Sequence, residues 1–153
     1  THTSLAARAA SVAVAVGVAL AMHGFSKEAV VQGAASWSSR LDGDFGDKLL
    51  YACSLRDLPA GEALELIRTS PLAMETVPAA FYCYLNFDSE EGLITAAGGG
   101  GDTDSIASIA GSLFGASQGV SWIPRRWLEP LEGKDRIEDA ARGLWKLSAS
   151  FCR

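Results

Sequence analysis

The chain has 153 residues, 48% of them hydrophobic and 20% charged, and carries a formal net charge of −5. That balance is too apolar and too weakly charged for a disordered segment, and the length suits one domain with a sizeable core. The acidic surplus argues against a general nucleic-acid surface, and Arg125-Arg126, the one adjacent basic pair, reads as an exposed structural pair that at most assists phosphate binding.

The first predicted element is a long Ala/Val helix after Thr1-His2-Thr3. Arg8 and the apolar run from Val12 to Met22, ending in Ala19-Leu20-Ala21, also have the outline of a secretory signal. The run is short and interrupted for a membrane span, which needs about 20 apolar residues. Apolar on every side, it is read as a buried central helix, and no membrane partner is expected. A second helix starts at Ser26-Lys27-Glu28 and runs toward Arg40-Leu41. Gly43 to Gly46 breaks the pattern, and a helix resumes across Asp47 to Ser54. The stretch from Asp42 to Asp47 has the outline of a calcium loop. However, Gly46 and Asp47 interchange what an EF-hand requires, and Cys53 stands where the closing glutamate belongs, so a solvated acidic turn is expected.

Pro59-Ala60-Gly61-Glu62 begins the next helix, with Leu64, Leu66 and Ile67 facing inward, and Ser70-Pro71 ends it. Thr76-Val77-Pro78 starts a segment to Phe87 in which Cys83 sits packed between Tyr82 and Tyr84. Ser89 starts a helix to Ala97, with Asp88, Glu90 and Glu91 favourable to its dipole. A further helix follows from Ser105, then a loop with Trp122, Pro124 and Trp127, then an amphipathic helix over Lys134 to Ser150. No stretch alternates with period two, so the fold class is all-α. The four tryptophans, Trp37, Trp122, Trp127 and Trp145, offer stacking faces for an adenine but are expected in the core. Cys53, Cys83 and Cys152 form no C-x-x-C pair, and their odd number points to reduced thiols in a cytoplasmic setting. No spacing links any of them to His2 or His23, as a nucleophilic thiol would require.

Between Gly98 and Gly119 the chain reads GGGGDTDSIASIAGSLFGASQG. Asp102, Thr103, Asp104 and Ser105 offer hard oxygen ligands in succession, which suit Mg²⁺ or Mn²⁺ rather than zinc. The glycines before them permit positive φ and close backbone approach to a ligand, but the lysine of a phosphate-binding Walker loop is absent. The structural alternative is that Asp104 or Thr103 merely caps the helix starting near Ser105. A cap needs one acceptor, and this run supplies four.

The motif GGDTDS-I-x-x-I-A-G-x-L-x-G-A, with Gly119, Ile123-Pro124 and Trp127 after it, closely resembles the C-terminal signature of the ADP-ribosylglycohydrolase family. Thr1-His2-Thr3 with its helix, and Thr76-Val77-Pro78-Ala79-Ala80, resemble earlier segments of the same family. The resemblance implies an orthogonal helical bundle with a binuclear Mg²⁺ or Mn²⁺ centre in a cleft. It makes Asp102, Asp104 and Ser105 metal ligands, and His2, Gly100 and Gly101 candidate substrate-binding residues; His2 reads equally as a capping or core histidine. It also implies that residues 1–153 are the C-terminal portion of a single domain of that type. The remaining ligands and the catalytic acid or base are then expected in an N-terminal half, as part of a larger protein or as a complementary polypeptide.

The activity implied is hydrolysis of the bond between ADP-ribose and a modified protein side chain or small molecule. A catalytically silent binding or structural relative is the alternative, against which the intact Asp102, Asp104 and Ser105 argue. A metal-dependent hydrolase of another nucleotide or glycoside fits the motif as well.

Overall fold

The computed structural model describes residues 3–151. Among them the chain is all-α, with helices α1 (Leu5–Met22), α2 (Lys27–Ser38), α3 (Gly43–Ser54), α4 (Ala60–Ile67), α5 (Ala73–Asn86), α6 (Ser89–Gly98), α7 (Thr103–Gln118), α8 (Arg125–Leu128) and α9 (Lys134–Phe151). One 3-10 turn, Leu55–Asp57, follows α3. The chain divides into two compact units, the first ending at Trp122 and the second starting at Ile123.

In the first unit, hydroxyl caps start the first two helices. Ser4 accepts the Ala7 N–H and Ser26 the Ala29 N–H, each at 3.2 Å, satisfying donors that a helix N-terminus otherwise leaves unpaired. The central helix is α5, which packs against α1, α2, α3, α4, α6 and α7 and is buried from Glu75 through Tyr84. This corrects the expectation that α1 is the buried core helix. Only one face of α1 is buried, along Ala9, Ala10, Ala13, Gly17 and Ala21. Uniform apolar composition sets no limit on how many sides of a helix find neighbours, and the small residues mark the side that does. At Gly17 an added Cβ would lie 2.8 Å from the Phe81 ring. By length and composition α1 also passes for a membrane span, a test that core helices pass too. Its Ala/Gly face packs on α2, α5 and α7.

Three further expectations are corrected. The helix expected from Asp47 begins at Gly43, and the acidic turn before it is helical. Asp42 caps it by accepting the Phe45 N–H at 3.1 Å, and a Cβ at Gly46 would collide with Ser39, so close packing on α2 overrides glycine's poor helix propensity. Leu66 of α4 is exposed, because Ala63, Leu64 and Ile67 form the buried face. Helix α5 starts at Ala73 rather than at Thr76 and carries Pro78 inside; in its first turn the side chains of Glu75 and Thr76 bond Ser70 ahead of the helix. Cys53 and Cys83 are free and buried, and burial pushes both thiols up to about 12. Cys152 lies outside the described residues. Trp37 is half-exposed, with the Arg40 guanidinium 4.2 Å from its ring centroid, not in the core.

The second unit comprises α8 and α9. Pro124 precedes the first turn of α8, where its missing N–H costs nothing. On α9, Ile137, Leu144 and Leu147 share the apolar stripe read from the sequence and are exposed, as is Trp145, which was expected in the core. Glu138 pairs with Arg142 at 2.8 Å and Lys134 at 3.9 Å on the polar side, exposed pairs that contribute little.

Candidate metal-binding groove

The turn between α6 and α7 owes its shape to Gly100 and Gly101, both left-handed at φ 77° and 71°. At Gly101 no other residue fits, because a Cβ would fall on the Thr69 carbonyl. That carbonyl accepts the Asp102 N–H at 2.6 Å and fixes where α7 begins. Asp102 thus holds the cap position that the sequence reading offered to Thr103 or Asp104. Its side chain, however, makes no capping bond.

Asp104 explains why. Its own Oδ1 accepts the Ser105 N–H at 2.9 Å, which satisfies a first-turn donor that a cap residue usually serves. Both Asp102 oxygens are therefore available to side chains. Ser105 Oγ donates to Oδ1 at 3.0 Å, and Thr76 Oγ1 lies 3.3 Å from Oδ2. Thr76 Oγ1 also lies 2.8 Å from the Ser70 carbonyl. A hydroxyl has one proton, so it serves one of these acceptors at a time and keeps lone pairs for another partner.

Asp102, Ser105 and Thr76 line a groove of about 1100 Å³, to which α1 contributes Arg8 and Ser11 and its cap residue Ser4. The structure therefore brings Asp102 and Ser105 together and adds Thr76, which the sequence reading placed in a helix start and a family-like segment but not among the site residues. Nothing in local spacing links residues 76 and 102; the contact is made by tertiary packing of α5 on α7. Asp104 is exposed and does not line the groove, and Gly100 and Gly101 shape the turn without lining it. His2 lies outside the described residues.

The gathered donors are all oxygen, which suits Mg²⁺ or Mn²⁺. Among the described residues no group of three or more His, Cys, Asp and Glu is placed to hold a metal ion. A second cavity, about 250 Å³, is lined by Glu28, Cys53 and Arg56 among others. With its thiol pushed up to about 12, Cys53 is no thiolate nucleophile at neutral pH.

A family model described as ADP-ribosylglycohydrolase matches residues 1–151. An uncharacterized protein of Archaeoglobus fulgidus is 38% identical over 148 residues, covering 96% of this chain and 48% of that protein. Human ADP-ribosylhydrolase ARH3 is 32% identical over 123 residues, covering 72% of this chain and 32% of the relative. ADP-ribosylarginine hydrolase Tri1 of Serratia proteamaculans is 35% identical over 83 residues, covering 54% and 23% respectively. The chain spans about half the length of these curated relatives, or less.

Proposed function

Because the chain belongs to the ADP-ribosylglycohydrolase family, we propose that its groove serves an enzyme hydrolysing the glycosidic bond between ADP-ribose and a modified protein side chain or a small molecule. The observation that carries this reading is Asp102, a helix-cap aspartate whose two oxygens face hydroxyl groups at the groove instead of the helix backbone. The names of the human and Serratia relatives support ADP-ribose as the common part of the substrate.

Asp102, Asp104 and Ser105 are the residues that would hold a binuclear Mg²⁺ or Mn²⁺ centre. When bound, such a centre supplies Lewis-acid polarisation and orientation of a water and the ribose diol. Asp102 brings the negative charge to the groove wall, and Ser105 and Thr76 keep its oxygens in place. Asp104, one helical position before Ser105, would need to turn its second oxygen toward the centre while keeping the Ser105 N–H. Gly100 and Gly101 give the backbone room beside these ligands, and His2 is the candidate on the ribose. The general acid or base and the remaining ligands are assigned to a further segment or a complementary polypeptide. A reducing, cytoplasmic setting is proposed from the cysteine pattern of the sequence alone.

The test uses protein that turns over an ADP-ribosylated substrate with Mg²⁺ or Mn²⁺ present. Asp102→Ala is expected to abolish turnover and loosen metal binding together. Full turnover in that variant defeats the assignment.

A further inference from the structure

We propose that Glu75, which touches neither Asp102 nor the groove, is a positioning residue: it holds the 68–70 strap whose Thr69 carbonyl fixes Asp102. The inference rests on the reading of Asp102 as a metal ligand only for its functional consequence.

Helix α4 stops at Ile67, and Arg68 turns the chain with φ 70°, a left-handed conformation that a long side chain adopts only under constraint. The constraint comes from the first turn of α5. The Glu75 carboxylate is buried at 6% exposure. Its Oε1 lies 3.2 Å from Arg68 Nε, and its Oε2 accepts the Ser70 N–H at 3.2 Å. A buried charge persists only where donors replace the water it loses. Here the donors are the residues on either side of Thr69.

Thr69 is thus gripped from both neighbours, and its carbonyl is the acceptor of the Asp102 N–H. The next residue after Glu75 adds a second thread: Thr76 Oγ1 lies within reach of both the Ser70 carbonyl and Asp102 Oδ2. Gly101 completes the fit, since only a residue without Cβ lets the turn lie against Thr69. Two adjacent residues of α5 therefore set both the backbone and the carboxylate of Asp102, one through the strap and one directly. The rigid, buried α5 is the reference against which the ligand is placed.

Residue-resolved amide hydrogen exchange on the full chain, with Mn²⁺ titration alongside, tests this. In Glu75→Gln the Asp102 amide should exchange roughly tenfold faster or more, the change that losing a charge-assisted hydrogen bond implies. Amides of Tyr82 and Cys83 in the middle of α5 should keep their protection, and Mn²⁺ affinity should fall. Arg68→Gln removes only the exposed partner of the pair, so it keeps the fold and should show a smaller change in the same direction. If Glu75→Gln does not fold, Arg68→Gln decides. Unchanged Asp102 protection overturns the proposal, as does a uniform loss of protection through α5, which is the mark of a merely structural role. If wild-type protein that turns over an ADP-ribosylated substrate takes up no Mn²⁺, the metal reading fails, and the exchange comparison still decides whether Glu75 positions Asp102.

Discussion

Asp42 and Asp102 occupy the same position, the cap residue of a helix, and do different things. Asp42 turns inward to its own helix and accepts the Phe45 N–H at 3.1 Å. Asp102 makes no such bond; Asp104 takes the Ser105 N–H, and the Asp102 oxygens face the hydroxyls of Ser105 and Thr76. The difference lies in the neighbours. Each is followed by an aspartate two residues on, Asp44 and Asp104; among the described contacts only Asp104 accepts an N–H of its own helix, and that relieves Asp102 of capping. A carboxylate released from capping is free for another partner, and the proposed metal role of Asp102 rests on this distinction.

The largest expected effect comes from Gly101→Ala. The left-handed backbone and the overlap with the Thr69 carbonyl should cost about 2 kcal/mol or more, read as a lower urea midpoint, and divalent-metal binding should be lost with it. Asp102→Asn should leave stability nearly unchanged but lower Mn²⁺ affinity roughly 100-fold or more, at or beyond the upper end for changes around a metal site. Thr76→Val should lower that affinity about tenfold, because it removes one partner of the carboxylate without touching its charge. Asp42→Ala should do the reverse, costing about 1 kcal/mol of stability and leaving Mn²⁺ affinity alone. A Mn²⁺ defect in Asp42→Ala matching that of Asp102→Asn would erase the contrast between the two aspartates.

The smallest effect is a pH dependence. Hydrogen bonding from Ser70, with a lesser contribution from Arg68, holds the Glu75 carboxyl below its ordinary 4.5. A depressed folded-state value means that the stabilisation is present above the unfolded value and is lost as pH falls through the folded one. Urea midpoints measured downward from pH 4.5 should therefore drop more steeply in wild type than in Glu75→Gln. Parallel slopes would remove the charge from the account of the strap.

The helical class, the order of the helices apart from the short α8, which falls where a loop was expected, and the Asp102-to-Ser105 run were legible in the sequence because each is written in local pattern: caps, periodicity and a short cluster of side-chain oxygens. The details that failed depend on what lies across the fold. Helix α3 absorbs Gly43 and Gly46 because α2 approaches closely there. Helix α1 reads as a core helix in composition, yet only its Ala/Gly side meets neighbours, and part of the rest lines the groove. Thr76 reads as a helix start and Glu75 as the residue before it until packing brings α5 against the 68–70 strap and Asp102. The cap assignment slipped by one or two residues because several consecutive residues were able to cap, and only the competition between Asp102 and Asp104 for one N–H decides among them.

The measurement that tests the central claim most directly is a Mn²⁺ titration, followed by electron paramagnetic resonance, of wild type, Asp102→Asn and Asp42→Asn, each prepared as the protein that turns over an ADP-ribosylated substrate and compared at equal concentration. The account predicts that wild type and Asp42→Asn withdraw Mn²⁺ from solution alike, while Asp102→Asn leaves it free. Equal uptake by Asp102→Asn and wild type would contradict the assignment of Asp102 to the metal.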